Sequence, residues 1–165
     1  MRGRVPALLA LALVATAATA PVAPVKVYSD GFQPGWDDWS WATRAPTPFP
    51  ADATMKPLKV DAGPWAAVSF HAAKPFDLTG HRGIVLFVNG GDKGGQTIGI
   101  VPVVDGKGLV EKSFDVRLPT GGQWQKVEVP FARWALPGHV IDAIWIQNRT
   151  ASAAPTFWIE DVIIG

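Results

Sequence analysis

The chain contains no cysteine in its 165 residues, which excludes disulfide stapling and thiol catalysis and leaves the packed core to hold the fold alone. Charge of one sign is also missing. With 15 Lys and Arg against 14 Asp and Glu, there is no basic patch for nucleic acid and no charge run for a membrane surface. Beyond the N-terminal segment no apolar run is long enough to cross a bilayer, so no membrane insertion is expected. Helical periodicity is absent apart from one turn near Arg133 to Ala135, and no internal repeat is found. The histidines His71, His81 and His139 lie too far apart for a short metal motif.

The N-terminus has a distinct composition. Arg2 and Arg4 precede an apolar run from Ala7 to Ala15, followed by Ala15-Thr16-Ala17 and Ala18-Thr19-Ala20. This pattern reads as a secretory signal peptide over residues 1–20, too short in its apolar part to span a membrane. Cleavage after Ala17 is favoured, because cutting after Ala20 would leave Pro21 first. Losing Arg2 and Arg4 leaves 13 basic against 14 acidic residues. The expected product is secreted or periplasmic: a short tether over 21–24 and a single domain over 25–165, long enough to bury a good core.

That domain reads as strands throughout. Val25 to Tyr28, a segment from about Asp38 to Thr43, and a hairpin of Leu58 to Asp61 with Trp65 to His71 come first. Ile84 to Asn89, Thr97 to Val104, Leu109 to Leu118, Trp124 to Phe131, Ile141 to Asn148 and Thr156 to Ile164 follow, and a proline-rich loop fills 45–57. About ten short strands between Gly and Pro turns predict an all-β fold, an antiparallel β-sandwich.

What the chain has in abundance is tryptophan, eight in all, three of them in Gly35-Trp36-Asp37-Asp38-Trp39-Ser40-Trp41. Alternation along a strand puts Trp39 and Trp41 on one face. Flat aromatic faces beside carboxylates suit a sugar, whose axial hydrogens stack and whose hydroxyls bond; the alternative is that indoles of this stretch fill the core. Elsewhere Val68 and Phe70 alternate with Ser69 and His71, and Ile144 and Ile146 with Trp145 and Gln147. The aliphatic sets belong inside. The other sets pair Trp with hydrogen-bonding groups, unlike an ordinary solvated face. Candidate groove residues are Trp39, Trp41, Trp65, His71, Trp145 and Gln147, with Asn89 and Gln96 at the edge.

Other motifs carry less. Gly90-Gly91-Asp92-Lys93-Gly94-Gly95 lacks the Gly-Lys-Ser/Thr ending of a phosphate loop. Asp37 and Asp38 point to opposite faces and make a poor acid–base pair; Asp38 with a distant acid such as Glu128 stays open. Ser40 has no recognisable His-Asp partners. Asn148-Arg149-Thr150 is a formal glycosylation sequon.

The ordered set Val27-Tyr28-Ser29-Asp30, the Trp36–Trp41 stretch, Phe87-Val88-Asn89-Gly90-Gly91, Trp124-Gln125-Lys126-Val127, Trp145-Ile146-Gln147-Asn148 and Phe157-Trp158-Ile159-Glu160-Asp161 resembles the galactose-binding-like, jelly-roll carbohydrate-binding modules of exported bacterial proteins. The resemblance implies an exported, non-catalytic domain that binds a polysaccharide or oligosaccharide, with a jelly-roll glycoside hydrolase or lyase and a protein-interaction or assembly module as alternatives. It also implies a structural Ca2+ joining the first strand to the last through Asp30 and Glu160 or Asp161, hard oxygen ligands of the right kind. The family's glycine before the third strand is replaced here by Thr54-Met55-Lys56-Pro57. Such modules usually adjoin a catalytic domain; with none in this sequence, a partner enzyme would be on a separate chain.

Overall fold

A computed structural model describes residues 22–165; the expected signal peptide and the start of the expected tether lie outside the described residues. Twelve strands form two antiparallel sheets of six. The first sheet contains β1 (Val25–Tyr28), β3 (Thr43–Pro46), β4 (Leu58–Asp61), β6 (Gly83–Asn89), β10 (Trp124–Pro130) and β12 (Phe157–Ile164), in the order β10-β6-β12-β4-β3 with β1 also on β12. The second contains β2 (Trp36–Asp38), β5 (Ala67–Asp77), β7 (Thr97–Val104), β8 (Lys107–Gly108), β9 (Phe114–Arg117) and β11 (Val140–Asn148), in the order β2-β5-β11-β7-β8 with β9 also on β7.

The core follows the alternation of the sequence. Val68, Phe70, Ile144 and Ile146 from the second sheet meet Leu86, Val88, Val127, Val129, Phe157 and Ile159 from the first, all buried. Burial of such aliphatic surface is the main favourable term in folding, at about 25 cal/mol per Å². Trp36 and Trp134 join this core. One of the three clustered indoles is therefore structural, as the core alternative anticipates for that stretch.

Four expected elements differ. Leu58–Asp61 and the segment after Trp65 do not form a hairpin: β4 belongs to the first sheet and β5 to the second. The chain crosses the sandwich between them, with small buried Ala62 and Ala66 at the crossing and Trp65 at φ 57. The expected Asp38–Thr43 strand ends early, because the Asp38 carboxylate takes both the N–H and the hydroxyl of Ser40 (3.1 and 2.5 Å). The Leu109–Leu118 strand opens as a 3-10 turn over Val110–Lys112 and becomes extended only at Phe114. The helical turn expected near Arg133 lies slightly earlier, at Phe131–Arg133.

Candidate functional site

The outer face of the second sheet carries the aromatic residues. Trp145 on β11 lies opposite Ser69 on β5 and Val101 on β7, and Ala143 lies opposite His71 and Val103. These residues share one face by strand alternation. Beside them, the segment after β2 runs along β5, with Trp39 N–H donating to Ser69 O (3.1 Å) and Trp41 N–H to Ala67 O (3.0 Å). Ser40 fixes the segment from beneath: its hydroxyl bonds Asp38 and accepts the Ser69 N–H at 2.9 Å. Arg44 holds Asp38 from β3 at 2.8 Å. Burial alone would raise the Asp38 carboxyl, but the hydrogen bonds from Arg44 and Ser40 bring it below the usual carboxylate range.

With Asp38 and Ser40 spent on the backbone, the two flanking indoles are turned outward. Trp39 is 63% exposed and Trp41 49%, well beyond what Trp ordinarily shows in a folded chain. Trp39 lies flat on His71, centroids 3.6 Å apart and planes 6° apart. Trp41 stands edge-on to Trp145 at 4.9 Å and 86°. Together Trp39, Trp41, Ser69, His71, Asp142 and Trp145 line a cleft of about 210 Å³. The Trp41 ring thus stands as an upright wall on the Trp145 ring. Gly108 makes room for that ring, since a Cβ there would collide with it.

Trp65 extends the face. It is 48% exposed and sits at φ 57, a left-handed conformation that is costly for a bulky residue. Its carbonyl accepts from Trp41 Nε1 (3.3 Å) and Gln147 Nε2 (3.0 Å), and its N–H donates to Thr150 O (3.2 Å). Three bonds thus hold a strained residue in place, a pattern associated with functional positions. The Arg149 guanidinium lies 5.9 Å over the indole and donates to Gln147 Oε1 at 2.8 Å. Replacing Trp65 with glycine should therefore raise stability, or leave it unchanged, by relief of about 1–2 kcal/mol of left-handed strain, while weakening any ligand that uses the ring. Paired denaturation and binding curves check this; a Trp65→Gly protein destabilised by several kcal/mol would make Trp65 a packing residue.

The structure thus brings together Trp39, Trp41, Trp65, His71 and Trp145. Gln147 is adjacent but buried, with both ends of its amide bonded to Trp65 and Arg149, so it positions the face rather than presenting itself. Asn89 and Gln96 are not part of it. Both are buried: Asn89 donates to Gly122 O and accepts from Gly91 N–H, and Gln96 Nε2 lies within 3.1 Å of the carbonyls of Gly90, Pro155 and Thr156. They are corrected to clamps of the glycine-rich loop. Sequence reading failed there because an amide beside glycines looks the same whether it bonds a ligand or the turn itself. It passed over Asp142, which lines the cleft next to Ala143 because a bulge between Ile141 and Ala143 shifts the register of β11; no local signal marks it.

The distant acid pair Asp38 and Glu128 loses its geometry. Arg44 on β3 reaches Asp38 on β2, so those two edges adjoin. Glu128 lies on β10, at the opposite edge of the first sheet, paired with Lys126. Asp38 and Glu128 do not meet. The Asn148 amide of the sequon is buried and donates to Gly63 O and Ser152 O.

At the junction of the termini, Asp30 N–H donates to Glu160 Oε1 (3.2 Å) and Lys56 N–H donates to Asp30 Oδ1 (2.5 Å). Glu160 is buried and its second oxygen has no partner. Burial, with the charges of Asp161 and Asp30, pushes its carboxyl up despite hydrogen bonds from the Asp30 and Asp161 backbone. An orphaned buried carboxylate oxygen beside a second carboxylate fits a hard cation. Among the described residues no group of three or more His, Asp and Glu converges, so main-chain oxygens would complete the shell.

No family model matches the chain. Over 145 residues it is 23% identical to an endoglucanase of Dictyostelium discoideum, covering 84% of this chain and 21% of that protein. The chain thus spans about a fifth of the length of that curated relative. Among solved structures it is similar to family 29 carbohydrate-binding modules. A CBM29-2 mutant complexed with cellulohexaose has a TM-score of 0.60 at 13% identity, covering 88% of this chain and 92% of that one. Another CBM29-2 mutant, complexed with mannohexaose, gives 0.56 at 12% over 86% and 90%. A further family 29 module gives 0.57 at 13% over 86% and 87%. These likenesses establish the antiparallel β-sandwich.

Proposed function

We propose that this chain is an exported, non-catalytic carbohydrate-binding domain that takes a polysaccharide or oligosaccharide in the cleft of Trp39, Trp41 and Trp145, with Trp65 extending the contact. The observation that carries the reading is the pair of outward-facing indoles held open by Asp38 and Ser40. Aromatic rings are spared such exposure unless something covers them. A ring that lies flat and open offers a stacking face for the apolar side of a pyranose, and Asp142 supplies a hydrogen-bonding edge. The sandwich shared with modules solved with cellulohexaose and mannohexaose and the partial match to an endoglucanase support the same ligand class. A glycan array run with a reducing-sugar assay tests it: binding without release of reducing ends is expected, and release of reducing ends would make the chain an enzyme.

Export rests on the Arg2-Arg4 segment, the apolar run and the Ala-x-Ala sites. Mass spectrometry of the secreted protein should show a mature start between Ala18 and Pro21, whereas recovery only of chains beginning at Met1 would overturn it. A partner enzyme on a separate chain belongs to the same reading.

Calcium held by Asp30 and Glu160, with Asp161 beside them, is the structural part of the proposal. When bound, the ion would neutralise the Glu160 carboxylate and tie β1 to β12. Chelation should lower the melting temperature without unfolding the domain, and saturating Ca2+ at a hundredfold excess over Kd should restore about 2.7 kcal/mol. The metal-free protein has its own signature. A carboxyl raised in the folded state contributes stability that is present below its unfolded pKa and lost as pH rises through the folded value. Metal-free protein should therefore lose stability from mildly acidic pH upward, and Glu160→Gln should abolish that slope. An identical melting curve in chelator and in Ca2+ would refute the site.

A further inference from the structure

We propose that His71 is a positioning residue that supports Trp39 from beneath and makes glycan binding weaken as the imidazole takes up a proton. The proposal rests on the reading of the Trp cleft as a sugar site and adds a regulation of it.

The geometry carries the argument. His71 and Trp39 are parallel within 6° at a centroid separation of 3.6 Å, so one face of the indole is covered by imidazole. Trp39 remains 63% exposed, which leaves the opposite face for a ligand. Trp39 lies in the connection between β2 and β3, its backbone N–H held by Ser69 O, and the imidazole beneath is the ring that its indole lies flat on. The His71 Nδ1 atom is buried and has no hydrogen-bond partner, so stacking on Trp39 is the contact its ring makes on that side.

An imidazole is the side chain suited to change charge between about pH 5 and 8. The charged groups facing it are acids. Asp37 on β2 lies directly opposite it in the register, and Asp142 on β11 lines the same cleft. Across β11, the β7 residue in the same row is uncharged Val103. Lys107 on β8 pairs with Val104 and so belongs to the other face. When the imidazole carries charge, it meets the indole through a cation–π contact. An imidazolium on the lower face draws the ring's electron density down, away from the sugar hydrogens stacked above. Protonation and sugar therefore compete for one aromatic ring from its two sides, and by linkage each weakens the other.

The test is a titration with cellohexaose and mannohexaose at about pH 8 and about pH 5.5, spanning the imidazole range, for the parent, His71→Phe and His71→Ala. Circular dichroism at both pH values confirms the fold. Affinity of the parent should fall roughly two- to fivefold at the lower pH, the size of one exposed cation–π contact. His71→Phe keeps a flat support without charge, and whatever its absolute affinity it should bind with no pH dependence. His71→Ala should bind weakly at both. Tryptophan emission gives a readout that needs no glycan: a stacked imidazolium should quench Trp39, so emission of the parent should drop through the imidazole range, and the drop should vanish in His71→Phe and in Trp39→Phe. If neither sugar binds the parent but the emission change appears, the cleft reading fails for these glycans while the His71–Trp39 coupling stands. PH-independent binding and emission in the parent, or an undiminished pH dependence in His71→Phe, would overturn the proposal.

Discussion

Trp39→Ala and Trp41→Ala should each lower glycan affinity about tenfold to a hundredfold while leaving the denaturation midpoint nearly unchanged. Both side chains stand about half or more in solvent, so truncation creates little cavity and removes little core. The loss expected is that of one stacking platform, about 1–3 kcal/mol by analogy with bases stacked on aromatic residues. Trp145→Ala should cost at least as much affinity, because its ring meets Trp41 at 4.9 Å and lines the cleft. Being only partly exposed and packed on Gly108, it should also cost some stability. Calorimetric titration paired with chemical denaturation separates the effects. Variants of Trp39 and Trp41 that unfold readily would place these indoles in the stability of the domain instead.

Trp134→Ala should do the reverse. This residue has no solvent exposure and packs on Phe131, centroids 5.3 Å apart. Removing so large a buried ring costs about 3–5 kcal/mol, which for a domain of this size lowers the melting temperature by roughly 6–20 °C. Glycan affinity, measured where the variant remains folded, should be unaffected. Trp134→Phe should cost much less, because the indole N–H is buried without a partner and losing an unsatisfied donor offsets part of the lost contact. Thermal melts of the two variants side by side check both statements. A Trp134→Ala protein as stable as the parent would contradict the packing described.

The alternation of Val68, Phe70, Ile144 and Ile146 with polar or aromatic neighbours was enough to read the sandwich and its interior, because burial on one face of a strand writes itself into period two. The same alternation correctly set Trp145, Ser69 and His71 on the outer face. Trp36, Trp39 and Trp41 could not be told apart that way: Trp36 is in the core while the others are open, and the difference is made by the Asp38–Ser40–Ser69 hydrogen bonds across two strands. Nor could sequence show that β4 and β5 belong to different sheets, since a Gly-Pro turn ends a strand equally well before a hairpin or a crossing. The stacking of His71 under Trp39 joins residues 32 positions apart, and the strained backbone of Trp65 depends on Gln147, 82 positions away. Contacts of that range leave no local pattern.

The central claim is that the Trp cleft binds glycan, and one array of plant, algal and microbial polysaccharides probed with the parent and with the Trp39→Ala/Trp41→Ala double variant tests it most directly. The account predicts saturable binding of the parent to at least one glycan and its loss in a double variant that remains folded. Undiminished binding by the folded double variant, or no binding by the parent to any glycan in the panel, would contradict it.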